Sequence, residues 1–329
     1  MLAHTTPGLS FAPGRRSYDD IDAFQESPTT SLVSMVQLLS LSADTAHFMF
    51  HLLNIFPSLR ELRVWFPFST GGGAYPKPFT SGAIECAAHL RLATISGELS
   101  FVVMSVLDCA PDLKYLRLDF PRESVMTKPH PKATRVSLCR LKLWAENQEP
   151  GIFPQVLASS LHSLRSLSIR VIFQHSFAVL QQRADTNLAT ALVHLDLMAH
   201  HYNKGCCGGC THGLDLRETD VRQACGFIRA CPRLAHLSLL GFHTADITAI
   251  IDAAETPLVS LAVLTRYCNK SATAIVRSLL ESDHQALAHL RLLMLDHTRD
   301  DWIPVREMCQ KRRTLLRYFG DLVPMLTRR

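Results

Sequence analysis

A cysteine- and histidine-rich stretch at residues 200–217 holds the residue types best suited to bind a metal ion. Cys207 and Cys210 have the two-residue spacing that zinc sites use, and His212 follows shortly after them. A single Cys-x-x-Cys is also compatible with a redox pair or with a plain glycine-rich insertion. Because no second pair accompanies it, the sequence favours the plain insertion. We therefore predict no cofactor, and Cys207, Cys210 and His212 are the candidate ligands if zinc does bind.

The rest of the sequence carries no motif of an enzyme active site. It has no Gly-x-Ser-x-Gly, no His-Glu-x-x-His and no phosphate-binding Walker pattern. The three glycines at 71–73 lack the lysine and the spacing of a phosphate loop, so they predict a simple loop. The 16 histidines are scattered along the chain and form no catalytic spacing. We predict a protein that is not an enzyme.

One apolar spacing recurs along the chain: a first anchor, a middle anchor three residues later and a third anchor two residues after that. Eight clear copies run from Leu59-Leu62-Val64 to Leu287-Leu290-Leu292, and two weaker ones are Val33-Val36-Leu38 and Ala87-Leu90-Leu92. The middle anchors stand at 36, 62, 90, 116, 141, 167, 195, 237, 261 and 290. Except across the insertion, their spacing is nearly constant. This regularity predicts a repeat protein of nine or ten units.

Each unit combines a helical pattern, a turn and a short strand. Apolar residues of helical period fill many of the intervals, for example residues 221–228 and 272–280. Several of these patterns end at a proline just before the next first anchor, as in Cys231-Pro232-Arg233-Leu234. Parallel strands joined through helices give right-handed connections. The predicted fold is therefore an α/β right-handed solenoid (horseshoe), with a parallel sheet on its concave face and helices outside.

The helix-Cys-Pro-x-Leu-x-x-Leu-x-Leu units resemble the leucine-rich repeats of F-box proteins, particularly of the fungal type. The resemblance covers about residues 31–300, but residues 1–32 contain no recognisable F-box, and the Asn or Cys that usually follows each middle anchor by five residues is absent. The resemblance implies the substrate-recognition region of a ubiquitin-ligase receptor, which binds a protein partner on its concave face. A Skp1-type adaptor would join only if an F-box is supplied elsewhere.

The strand residues between the anchors point to the concave face, because side chains alternate along a strand. One column of this face begins with a predicted row of four cations, Arg63, Arg91, Arg117 and Lys142. The candidate binding residues are this row and its neighbours: Arg63, Trp65, Arg91, Tyr115, Arg117, Arg140, Lys142, Trp144 and Arg170. These cations could bind an anionic ligand or RNA, or they could simply keep the sheet soluble. In the C-terminal half, Leu240, Leu264 and Leu293 predict an apolar contact zone.

The composition and the ends of the chain set the remaining expectations. The net charge of +5 is too small to argue for nucleic acid as the partner. The sequence shows no secretory signal and no membrane span, so we expect a monomer in the cytoplasm, the nucleus or both. Residues 1–30 are rich in Pro, Ser and Thr and are predicted to be disordered. Residues 31–329 form the repeat domain, and a capping helix is predicted over about 302–319.

Overall fold

The protein is described by a computed structural model that divides into two compact units, Met1–Ser163 and Leu164–Arg329. Each unit is described by itself. The structure describes residues 8–11, 36–41, 53, 55–56, 58–65, 89–96, 106–120, 136–145, 156–157, 160, 162–171, 187–199, 218–242, 244–264, 272–295 and 302–318.

The first unit contains a parallel sheet whose strands pair in chain order. The strands are β1 Gly8–Phe11, β2 Leu38–Leu41, β3 Glu61–Trp65, β4 Leu92–Ser96, β5 Tyr115–Phe120 and β6 Arg140–Ala145. Each strand from β1 to β5 pairs in parallel with the next. Parallel neighbours require a crossover connection in every repeat, as the sequence predicts.

The second unit repeats this arrangement. Its strands are β7 Ser166–Val171, β8 His194–Ala199, β9 His236–Leu240, β10 Ser260–Leu264, β11 Leu292–Leu295 and β12 Leu315–Tyr318, again paired in parallel and in chain order. The described residues between them include five helices: α1 Asn187–Ala191, α2 Glu218–Arg229, α3 Thr244–Asp252, α4 Ala272–Glu281 and α5 Trp302–Lys311. In the part of the chain that the structure describes, no helix has the length and apolar character needed to cross a bilayer.

The leucine anchors form the core of each unit. In β3, β8 and β9 the middle anchors Leu62, Leu195 and Leu237 are buried, and the residues on either side of them are more exposed. Strand alternation therefore gives every sheet a buried face and an open face. Helix residues such as Phe227 and Ile250 are also buried. One repeating strand and helix with a shared apolar core define the α/β leucine-rich-repeat fold, and this fold-class prediction is confirmed.

The structure corrects the predicted frame of three repeats. Leu62 pairs with Ala93, not with Leu90, and Leu261 pairs with Leu293, not with Leu290. The first repeat likewise has Leu39 as its middle anchor in place of Val36. Each of these segments contains two overlapping triplets that share one residue, so the spacing alone allows both frames. Burial identifies the later triplet as the correct one. In that frame, the two apolar residues that come after the shared residue lie in the core.

Two described segments at the ends of the repeat region differ from the sequence expectations. Gly8–Phe11 lies within the segment predicted to be disordered, yet it forms β1 and pairs with β2. The predicted capping helix over 302–319 ends at Lys311, and Leu315–Tyr318 is a strand. The physical reason is a left-handed residue, Arg313, with a φ of 56°. It closes the helix through hydrogen bonds that return to the last turn, and the chain then enters a further repeat.

Hydroxyl and thiol groups replace the Asn or Cys ladder that is missing from the sequence. The backbone oxygens of the first anchors Leu138, Leu234 and Leu290 each accept a hydrogen bond from a hydroxyl in the following repeat. The donors are Ser163 at 2.8 Å, Thr256 at 3.1 Å and Thr314 at 2.7 Å. At helix ends, the thiols of Cys109 and Cys231 donate to helix carbonyls, Val106 O and Phe227 O. These bonds satisfy backbone carbonyls near the turns.

Candidate binding surface

The open face of the first unit is built from alternate residues of β2 to β6. We define a first column one residue before each middle anchor, a second column one residue after it and a third column three residues after it. The first column is Leu38, Glu61, Leu92, Tyr115 and Arg140; the second is Ser40, Arg63, Thr94, Arg117 and Lys142; the third includes Trp65, Ser96, Asp119 and Trp144. The anchors on the other face are buried, so these columns are the sheet surface on which a ligand can lie.

Arg91 does not belong to the second column, contrary to the sequence prediction. The pairing register gives that place to Thr94, because Ala93 is the middle anchor of β4. Arg91 instead precedes the strand, and its Nη1 donates to the backbone oxygen of Asp112 at 3.0 Å and lies 2.8 Å from its carboxylate. The four-cation row is therefore interrupted, and Arg91 connects two neighbouring turns.

The nearby Lys114 occupies the same strand-leading position in the next repeat. Its Nζ donates to the backbone oxygen of Ser137 at 3.5 Å. Arg91 and Lys114 thus both reach the carbonyl of the residue that precedes the next first anchor. The repeated contact indicates a structural use for these two charges, apart from the open face.

Two cations of the second column are neutralised on their own strands. Arg63 lies 2.6 Å from the carboxylate of Glu61, and Arg117 donates to both carboxylate oxygens of Asp119 at 3.1 and 2.9 Å. Asp119 also accepts a hydrogen bond from Ser96 Oγ at 3.3 Å. Each pair joins residues two apart, whose side chains project from the same face of the strand.

Arg140 and Lys142 lie on β6 and differ from these pairs. Among the residues that the structure describes, neither forms an ion pair with a carboxylate. Arg140 is exposed and lies opposite Tyr115 in the register, while Lys142 lies opposite Arg117. Burial is the main cause that raises the pKa of the Tyr115 phenol; Arg117 and Arg140 partly oppose this rise, and Asp119 adds to it. The phenol therefore keeps its proton at neutral pH and can donate a hydrogen bond.

Aromatic residues accompany these charges. Trp65 ends β3 and is 49% exposed, which is a large fraction for a tryptophan and places an apolar surface on the open face. Trp144 occupies the register position opposite Asp119, but its side chain lies outside the described part of the structure. The same holds for the side chain of Arg170 on β7. Their predicted roles in binding stay predictions.

On β8 to β10 the open face of the second unit carries polar side chains that include a histidine pair, a feature that sequence reasoning missed. The rings of His194 and His236 stack with centroids 4.0 Å apart and planes inclined by 7°. Nδ1 of His236 lies 2.8 Å from Ser260 Oγ. Burial, followed by the proximity of His194, lowers the pKa of His236, while Asp196 opposes the shift. The signal was present in the sequence, because His194 and His236 stand at equivalent positions of consecutive repeats.

Two of the three leucines predicted to form an apolar contact zone in the second unit are buried. Leu293 is the buried middle anchor of β11, and Leu264 is buried as well. Only Leu240 keeps a partly exposed position. The frame correction at Leu290 explains the error for Leu293, since a shift of three residues moves a side chain to the opposite face.

The candidate metal site cannot be placed on this fold. Cys207, Cys210 and His212, with the whole insertion 200–217, lie outside the described residues. Within the described ranges no group of three or more metal-binding side chains comes together. The five cysteines described there are free thiols, Cys109, Cys139, Cys225, Cys231 and Cys309. Burial raises the pKa of Cys231 to about 12, so its thiol is not a reactive group.

Comparisons with known proteins find only distant similarity to solved structures. No protein-family model and no curated protein matches the chain. Among solved structures, a protein from Bacteroides fragilis shares 11% identity, with 94% of this chain and 72% of that chain covered and a TM-score of 0.42. A leucine-rich-repeat protein of Leptospira interrogans shares 12% identity, with 88% and 67% covered and a TM-score of 0.33. At these values neither likeness carries an argument about function.

Proposed function

We propose that the chain is a non-catalytic protein-interaction module that binds a partner protein on the open face of its first unit. The observation that carries the proposal is the make-up of that face. It combines the exposed Trp65 of β3 with arginine, lysine and tyrosine side chains on β3, β5 and β6. Trp, Tyr and Arg are the residue types that contribute most to protein–protein binding energy.

The second unit contains a serine–histidine contact that deserves comparison with a hydrolase site. Ser260 Oγ lies near Nδ1 of His236, but the backbone N–H of Ser260 donates to Ala235 O at 3.0 Å within the strand ladder. That N–H is therefore not free to stabilise an oxyanion. The ring of His236 is also stacked on His194. The contact supports a structural pair, in keeping with a non-catalytic protein.

Photo-crosslinking tests where a partner binds. A benzophenone amino acid replaces Thr94 on the open face in one variant and the exposed Arg222 on α2 in a matched control. We expect a discrete crosslinked protein from position 94 and none from position 222. Crosslinks that arise only from the helix position would move the interaction away from the open face and refute the proposal.

We also propose a finer role, the substrate-recognition region of an F-box-type ubiquitin-ligase receptor. Its support is the resemblance of the helix-Cys-Pro-x-Leu-x-x-Leu-x-Leu units to fungal-type F-box repeats. Affinity capture from a fungal lysate should then recover a Skp1-type adaptor, provided that an F-box is supplied elsewhere. If the open-face partner is recovered repeatedly without the adaptor, the ligase role is rejected and the interaction module stands.

The second candidate is the binding of an anionic ligand or RNA, favoured by Arg140 and Lys142, which form no ion pair with any carboxylate that the structure describes. An RNA ligand would contact several phosphates, so its affinity would fall steeply as the salt concentration rises. A protein interface that includes Trp65 responds less. A steep salt dependence that persists when Trp65 is replaced by alanine would favour the RNA alternative.

A further inference from the structure

The positive charge of the open face is concentrated on one strand. The described open face of β2 to β6 has four cations, Arg63, Arg117, Arg140 and Lys142, and two carboxylates, Glu61 and Asp119. Glu61 neutralises Arg63, and Asp119 neutralises Arg117. The excess of two positive charges therefore resides on β6.

The two excess cations have the spacing of alternate residues in an extended chain. Arg140 and Lys142 are two residues apart on β6, which corresponds to about 6.6 Å along a parallel strand. An extended peptide lying along the strand presents its own alternate side chains at the same interval. Acidic residues two apart in such a peptide can each face one cation.

Two residues of the neighbouring strand β5 lie beside the two cations of β6. Tyr115 lies opposite Arg140 and Arg117 lies opposite Lys142, about 4.8 Å away on β5. The Tyr115 phenol can donate a hydrogen bond to a carboxylate that Arg140 binds. Arg117 is already paired with Asp119, so it adds little net positive charge for a ligand.

The carboxylates on the same face distinguish a peptide from a nucleic acid. Asp119 and Glu61 lie beside the cations on β5 and β3. Both carboxylates are paired with arginines, so a phosphate backbone, which carries a charge at every nucleotide, gains no net attraction where it crosses these pairs. A peptide can place neutral residues at those points and acidic residues only over β6.

We infer that strand β6, with Tyr115 of β5, binds an acidic peptide segment of a partner protein in extended conformation, through Arg140 and Lys142. The inference rests on the proposed function and names the chemistry of the segment that the open face recognises. The segment carries two acidic residues separated by one residue. Their carboxylates accept charge-assisted hydrogen bonds from Arg140 and Lys142.

Fluorescence anisotropy with defined peptides tests this inference on the full chain. The probe is a labelled peptide with alternating Glu and Ser, compared with its Gln counterpart and with a uridine oligonucleotide. We expect the Glu peptide to bind more tightly than both. In the Arg140→Gln/Lys142→Gln variant its affinity should fall at least about tenfold, since each lost charge-assisted bond contributes more than a neutral one.

A matched variant controls for the change in net charge. Arg91→Gln/Lys114→Gln removes the same two charges from strand-leading positions of the same unit, away from the open face. It should leave the Glu-peptide affinity within about twofold, because long-range effects of surface charge are screened by salt. An equal loss in both variants, or none in the β6 variant, would overturn the inference.

The Tyr115→Phe variant provides a second measurement that preserves the ring. It removes only the hydroxyl and should weaken the Glu peptide by about two- to fivefold, the effect of one neutral hydrogen bond. Tighter binding of the oligonucleotide than of the Glu peptide would also overturn the inference. If the peptide fails while a benzophenone at Thr94 still crosslinks a partner, the acidic segment is rejected and the interaction module stands.

Discussion

The hydroxyl of Thr314 offers a direct test of how the turns between repeats are stabilised. Thr314 is 7% exposed, and its Oγ1 donates to the backbone oxygen of Leu290, itself 5% exposed, at 2.7 Å. Thr314→Val keeps the shape of the side chain and removes the donor. Leaving a buried acceptor without its partner costs about 1–3 kcal/mol, partly offset by the added apolar methyl group. We expect the free energy of unfolding to fall by about 1–2 kcal/mol.

Urea denaturation followed by circular dichroism measures this loss, provided that the variants share one m-value. Thr256→Val is a graded comparison, because its bond to Leu234 O is longer, 3.1 Å, and only partly buried; its loss should be smaller. Thr94→Val on the open face is the control and should stay within about 0.5 kcal/mol of wild type. A Thr314→Val variant as stable as wild type would refute the view that these hydroxyls replace the missing ladder.

Three further predictions concern the frame, a helix end and pH. Leu293→Ala should lower the free energy of unfolding by about 2–5 kcal/mol and Leu292→Ala by far less, and the reverse order in urea denaturation would contradict the register. Arg313→Gly should raise the thermal midpoint, with a gain of roughly 0.5–1 kcal/mol, because Arg313 has a φ of 56°; a lower midpoint would argue against strain there. Burial and His194 lower the pKa of His236, so its contribution to stability is full above the unfolded value of 6.5 and is lost as pH falls through the lower folded pKa. Between pH 7.5 and 5 the wild type should therefore lose more stability than His236→Gln, and equal losses would contradict the shift.

The sequence predicts the fold class well because its signal is repeated. Any single Leu-x-x-Leu-x-Leu is ambiguous, but a series of them with helices between specifies parallel strands and a shared core. The frame of an individual repeat is less secure. Around Leu90 and Leu290 two triplets overlap, and the near-constant spacing favoured the wrong one. Only the burial of Ala93 and Leu293 decides the frame, and burial depends on packing against neighbouring repeats.

The strand at Leu315–Tyr318 shows a second limit of the sequence. Leu315 and Leu316 continue the apolar pattern of the preceding helix, so periodicity alone extends that helix. The helix ends because Thr314 N–H donates to Cys309 O at 2.8 Å, with Arg313 in the left-handed region. Arginine gives no sign of such an ending, whereas glycine at that position would have marked it.

The candidate site was predicted as a row of cations, and the structure shows why a count of cations overstates it. Arg91 donates to the backbone oxygen of Asp112 in a neighbouring turn. Arg63 and Arg117 are each paired with a carboxylate two residues away. The strand sequences themselves contain this distinction. Glu-Leu-Arg in β3 and Arg-Leu-Asp in β5 place opposite charges on one face, whereas Arg-Leu-Lys in β6 places two like charges there.

Residues two apart on a strand share a face about 6.6 Å from one another, so an acid at that spacing is the nearest partner a strand can offer its own cation. A cation with such a partner is held in place and largely neutralised before any ligand arrives. Two cations at that spacing repel each other instead, and a ligand with two carboxylates relieves the repulsion as it binds. Strand β6 therefore gains the most from an acidic partner, although β3 and β5 carry arginines at equivalent positions of the same sheet.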